Sequence, residues 1–154
     1  MQPALQHNSD LLASRPLDDR ELPTILDAMF RISAHGELIN MQHLLNIVSI
    51  VRHNPHCTFT MWTKRKDIVG KFMRTVGDKP DNLILMYSNP RINAPMLTPP
   101  KYFDKVFNNV TYDQHVERQN CTGQKCKDCL HCYKWDGDDV IFEATKLNGR
   151  TIKQ

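Results

Sequence analysis

The stretch Asn82 to Ser88, NLILMYS, constrains the fold most, because it is apolar at almost every position until its end. A strand with one wet face alternates apolar and polar residues, whereas an unbroken apolar run is buried on both faces, as in a parallel sheet between two layers. The flanking sequence has the matching rhythm. Ile68, Val69, Phe72, Met73 and Val76 recur at helical spacing, Gly77 stands where a left-handed cap belongs, and Asp78-Lys79-Pro80-Asp81 turns the chain. Ahead of that helix, Cys57 to Thr63 is rich in aromatic and β-branched residues and stops at Lys64-Arg65-Lys66, which predicts a strand. Further upstream, Asn40 can cap a helix with the apolar stripe Met41, Leu44, Leu45, Ile47, Val48 and Val51, closed by Asn54-Pro55. Met29 to Ala34 alternates as a strand would and ends at His35-Gly36-Glu37. The result is a predicted βαβαβ unit with right-handed crossovers.

A fourth strand is predicted at Lys105 to Thr111, KVFNNVT, after an irregular loop over Asn89 to Pro100 that holds four of the nine prolines. Val140 to Lys146 reads equally as helix or strand. Residues 1–28 carry scattered leucines broken by Pro16 and Pro23, which predicts short helical turns. The expected molecule is one α/β domain over residues 1–154. It comprises an N-terminal helical segment (1–28), a βαβαβ core (29–111) and a cysteine-rich metal-binding tail (112–154). Its sheet is a partial (β/α) barrel or an open parallel sheet of about four strands, with a cysteine-rich C-terminal knot.

At 154 residues the chain buries a core without disulfide staples. With 24% charged residues and a net charge of +3, it is neither a disordered tail nor a heavily basic nucleic-acid coat. No apolar run has the length of a membrane span and MQPALQHNSD lacks a secretory layout, so a cytoplasmic, reducing setting is expected. In that setting clustered cysteines read as ligands rather than disulfides.

Four of the five cysteines fall between Asn120 and Trp135, NCTGQKCKDCLHCYKW, in the pattern C-x4-C-x2-C-x2-C. Thiolates this close crowd one another as disulfides, whereas a metal centre needs soft ligands converging from one tightly turning segment. Cys121, Cys126, Cys129 and Cys132 are therefore predicted metal ligands. Cysteines at every third position suit a [4Fe–4S] cluster, with Cys121 as the fourth ligand. Zinc remains the alternative, although structural zinc usually uses two C-x2-C knuckles with a longer gap between them, and His131 could replace one thiolate. Cys57 reads as a buried filler.

In parallel sheets ligands sit at the carboxyl ends of the strands. Those ends here supply His35, Glu37, Lys64, Arg65, Ser88 and Asn89 as candidate ligand-binding residues, with hydrogen bonding of the local turn as the competing role. Trp62 with the basic run Lys64, Arg65 and Lys66 could clamp nucleic acid, or could be a strand tryptophan beside a solvated turn.

The order of LLASRPL, FRISAHGELIN, NPHCTFTMWTKR, DNLILMYSNP and CTGQKCKDCLHCY, covering about His7 to Lys146, resembles the family called gene product eighty-eight, borne by phages, plasmids and gut bacteria. That family looks like a branch of the radical S-adenosylmethionine (SAM) superfamily. The resemblance implies a partial barrel with iron–sulfur chemistry and a cluster at the C-terminal cysteines. It also implies a further cysteine-bearing segment and a first strand ahead of the region that begins here at Met1. No C-x3-C-x2-C precedes Cys57, so the cradle of a SAM-cleaving cluster is missing and SAM cleavage does not carry over.

Three functions are therefore in view. The first is an iron–sulfur or other metal-binding protein of radical-SAM-like type, catalytically incomplete alone. The second is a non-enzymatic phage anti-defence inhibitor, of an anti-CRISPR-like kind, that grips a host protein or fills a nucleic-acid groove with Lys64, Arg65, Lys66, Lys71 and Arg74. The third is a zinc-stabilised nucleic-acid-binding module. A host or phage protein is the expected partner, nucleic acid a weaker one, and no membrane role is expected.

Overall fold

The computed structural model describes residues 3–33, 36–114 and 119–145. Their strands, β1 (Met29–Ile32), β2 (Thr58–Thr63), β3 (Leu83–Ser88), β4 (Lys105–Thr111) and β5 (Val140–Thr145), form one five-stranded sheet. The order is β1-β2-β3-β4-β5 and every pair is parallel. The expected α/β architecture is present with one more strand than was anticipated. The undecided segment after Val140 is that strand, aligned with β4 from Val106↔Val140 to Thr111↔Thr145. Strictly sequential order is the order of a (β/α) barrel, and it differs from a doubly wound sheet, whose strand order reverses at a switch point.

Helix α2 (Met41–His53) starts where Asn40 accepts a hydrogen bond from His43 N at 2.9 Å, the cap expected from the sequence. Helix α3 (Lys66–Thr75) ends as foreseen at Gly77, whose φ of +73° suits a residue without Cβ. The N-terminal segment departs from expectation, because Pro3–Ser14 is one continuous helix, α1, rather than short turns. Both prolines that suggested breaks lie beyond its end, and Pro3 occupies the first helical turn, where a missing N–H costs nothing. Asn46 of α2 docks the segment: its Nδ2 donates to Leu12 O and Arg15 O, both at 2.7 Å, and its Oδ1 accepts from Leu17 N at 3.0 Å.

Strand alternation divides the sheet into two unlike faces. Phe59, Met61, Leu83, Leu85, Tyr87 and Val106 point to one side and pack against Leu44, Ile47, Val48 and Val51 of α2 and Val69 and Phe72 of α3. At about 1.5–3 kcal/mol for each large side chain buried, this face holds the fold together. Trp62, Met86 and Ile141 point to the other side, where the segment between β4 and β5 covers them. Among the described residues no helix is long and apolar enough to cross a membrane.

Candidate metal centre

The segment covering the second face is built from short turns. Its entry is fixed by Cys121, whose N donates to Phe142 O at 3.0 Å in an isolated parallel bridge beside β5. Gly123 turns the chain at φ +80°, and the Gln124 amide ties the turn together by donating to Asn120 O at 3.0 Å and accepting from Thr122 Oγ1 at 2.7 Å. One helical turn, α4 (Cys126–Cys129), then presents Cys126 and Cys129. Leu130 stops it in the left-handed region at φ +60°, an uncommon conformation for a non-glycine residue, and a 3-10 turn over His131–Tyr133 brings Cys132 down onto the sheet. There Thr60 Oγ1 of β2 donates to Cys132 O at 2.8 Å.

The four predicted ligand residues share the wall of one pocket without closing on a common point. Cys121, Cys126, Cys129 and Cys132 rim one hollow of about 30 Å³, with Asn120, Gln124, Leu130, His131, Tyr133 and Ile141 as its other walls. None is in a disulfide, and Cys57 lies apart as a buried thiol on the helical face. Cys126 is exposed and the other three are half-buried. Gln124 Nε2 stands 3.3 Å from Cys129 Sγ, a donor suited to a thiolate. Burial pushes the Cys132 thiol up to about 12, neighbouring thiols add to the shift, and the Lys105 charge pulls against it. Burial and then the Glu143 carboxylate likewise raise Cys121. Raised values of this kind mean that the thiols resist ionising without a cation among them, and a bound metal supplies one.

Four thiols are the donor chemistry of a soft metal, but among the described residues no group of three or more His, Cys, Asp or Glu side chains stands together as a set that could hold a metal ion. Tetrahedral zinc, at about 2.3 Å from each sulfur, would draw the thiols about 3.8 Å apart. A cluster, which carries each thiolate on its own iron, takes a wider ring and needs the hollow to open outward.

The strand-end candidates form a separate group. Glu37 accepts from Thr63 Oγ1 and, at 2.7 Å, from Lys64 N, so its carboxylate closes the turn after β2. Arg65 donates to Leu38 O at 3.0 Å and pairs with Asp67 at 2.8 Å. Asn89 is buried; it donates to Ala94 O and Asn108 Oδ1, both at 2.9 Å, which pins the proline-rich loop. Ser88 ends β3 opposite Phe107 and is half-buried. Lys64 is exposed, and His35 lies outside the described residues. Glu37, Arg65 and Asn89 thus do the local turn-holding work that was the competing reading, and none of the described strand-end residues lines the hollow. Glu37 does line a larger apolar cavity of about 450 Å³ between α1, α2 and β1, together with His43, Ile47, Phe30 and Ile32.

Three contributors on the cysteine face carry no mark of their own in the sequence. Thr60 and Lys105 sit in strands and look like ordinary strand residues, and Arg31 of β1 lies 4.0 Å from the centre of the Trp62 ring. Period-two alternation from Trp62 would have placed Thr60 on its face. No signal marked Lys105.

A family model described as Gene product 88 matches residues 14–139. No curated protein is matched, and no solved structure is matched.

Proposed function

From the premise that the chain belongs to the Gene product 88 family, whose model spans β1 to β4 and all four of these cysteines, we propose that it is a metal-binding protein whose centre is held by Cys121, Cys126, Cys129 and Cys132. The observation that carries the reading is the convergence of these four thiols, from a β-bridge, a helical turn and a 3-10 turn, on one hollow above the sheet. A [4Fe–4S] cluster is the proposed group, favoured by the C-x2-C-x2-C run, with zinc as the alternative. When bound, the cluster supplies one-electron redox capacity. The residues of this chain bind it, shield it on the sheet side with Trp62, Met86 and Ile141, and donate to a ligand sulfur through Gln124. Kinship with radical-SAM-like half-barrels belongs to the same proposal and draws support from the sequential all-parallel strand order. Because four thiolates leave no iron an open position for SAM, the chain is proposed to need a partner protein for any catalysis.

The test is metal and sulfide analysis of protein purified without oxygen. Brown protein with matched iron and sulfide, both lost in Cys132→Ser, is the expected result. Colourless protein with one equivalent of zinc replaces the cluster with zinc, and protein that takes up neither metal overturns the reading.

A further inference from the structure

Lys105 is 1% exposed, on the first residue of β4. A buried ammonium is costly unless its charge is compensated. Among the described residues its compensation is thin. Its Nζ donates to the neutral carbonyl of Asp138 at 2.8 Å, and the closest carboxylate, Asp139, is 3.9 Å away and 62% exposed, hence screened by solvent. Register fixes what lies nearby. Lys105 stands opposite Met86, so it shares the face on which Met86, Trp62 and Ile141 support Cys121 and Cys132.

A thinly compensated cation on the sheet face that carries Cys121 and Cys132 has a natural counterpart. Four thiolates outweigh the charge of the zinc ion they bind, and of an iron–sulfur core as well, so the loaded centre is net negative. Hydrogen bonds and charges just outside the ligands govern both affinity and potential. We propose that Lys105 is the buried counter-cation of the thiolate centre. Held by the Asp138 carbonyl, its ammonium offsets the negative charge of the ligand set and so sets how tightly the metal is retained and, for a cluster, how readily it is reduced. The inference rests on the metal-binding reading above.

Wild-type protein, Lys105→Met and Lys105→Arg are compared in metal-free form, with zinc titrated against a competing chelator, and after reconstitution with iron and sulfide. Lys105→Met should bind zinc about 10–100-fold more weakly and Lys105→Arg within a few-fold of wild type. After reconstitution, the Lys105→Met centre should have a more negative midpoint potential. The metal-free proteins should rank the other way, with Lys105→Met melting at or above wild type, since an apolar side chain replaces an uncompensated charge. That opposition of signs is what a merely structural lysine would not produce. Equal zinc affinity and equal potential in Lys105→Met overturn the counter-cation role while leaving the metal site standing. A metal-free Lys105→Met that is unfolded or less stable than wild type also overturns it, by making the Asp138 bond the reason for burial. A wild-type chain that takes up neither zinc nor cluster removes the metal site, and this role with it.

Discussion

The two faces of the sheet are built on different principles. The helical face joins side chains from three strands and two helices in an apolar layer, with Phe59, Phe72, Val51 and Val69 at 0–1% exposure. The cysteine face rests on a few bed residues, Trp62, Met86 and Ile141, under a segment whose one helical turn buries nothing. One layer is stable through burial alone. The other is held by hydrogen bonds of its own turns, by the Cys121 bridge and by Thr60, and it leaves four thiols facing one hollow. The comparison shows how a single sheet carries a packed apolar layer on one side and a turn-built cysteine segment on the other.

The largest effect that would break this contrast lies on the helical side. Phe72→Ala removes a ring at 1% exposure between α3 and the sheet and should cost about 3–5 kcal/mol, measured as a shift in the urea midpoint. The loss should be the same with metal present or removed. A loss that metal binding abolished would show the two faces to be one cooperative layer.

Next in size is Asn54→Ala. Asn54 is fully buried; its Oδ1 accepts from Ile25 N at 2.7 Å, and its Nδ2 donates to Pro23 O at 2.9 Å and Ile50 O at 2.8 Å. Truncation strands those groups and should cost about 1–3 kcal/mol, again independently of metal. Hydrogen exchange should show the opened amides in residues 22–28 rather than in the cysteine segment. Faster exchange around Cys126 would count against the separation of the two faces.

Asn54 also shows where sequence reading stops. Next to Pro55 it reads as a helix terminator, and it is one. Nothing in the order of residues tells that its amide reaches back 29 residues to Ile25. Helices α2 and α3 and strands β1 to β4 were legible because periodicity is local: both helices and their caps follow from the spacing of apolar residues, Asn40 and Gly77. Val140 to Thr145 was ambiguous because a short apolar run fits either state, and only its pairing with β4 decides between them. At the site, the spacing of Cys121, Cys126, Cys129 and Cys132 put them in one short turning segment, and they line one hollow. Glu37, Arg65 and Asn89 were drawn in by their position at strand ends, but position does not tell whether a polar group faces a ligand or its own turn. Lys105 opens a strand, where lysine is ordinarily solvated, and it is buried because Asp138 and Asp139 fold across it.

A smaller effect on stability, sharper as a contrast, is expected from Cys126→Ser. In metal-free protein the change is at an exposed position and should stay within about 0.5 kcal/mol. With metal, removing one of four ligands should release the centre or loosen it by at least tenfold, read by chelator competition. A Cys126→Ser protein that retains metal as wild type does would shift the site to the remaining thiols and His131.

The smallest expected effect separates the faces by pH. His43 on the helical side is 5% exposed; burial lowers its pKa below the ordinary value of about 6.5, with Glu37 opposing, and its Nδ1 accepts from Ile39 N at 3.3 Å, which requires the neutral ring. The unfolded chain takes up a proton below about pH 6.5 while the folded chain does not. Stability is therefore complete above that point and falls as pH drops through the depressed folded value. Cys132 behaves in the opposite sense. In metal-free protein its thiol stays protonated up to about 12, whereas the unfolded chain ionises near 9. Its contribution is thus intact below about pH 9 and is lost as pH rises toward the folded value, by about 1 kcal/mol at about pH 10. Urea midpoints of chelated protein from about pH 5 to about pH 10 should trace both limbs, with His43→Leu flattening the acid limb alone and Cys132→Ser the alkaline limb alone. A single variant that flattened both would mean that the faces titrate through one shared network, because a proton on one side would then be felt across the sheet.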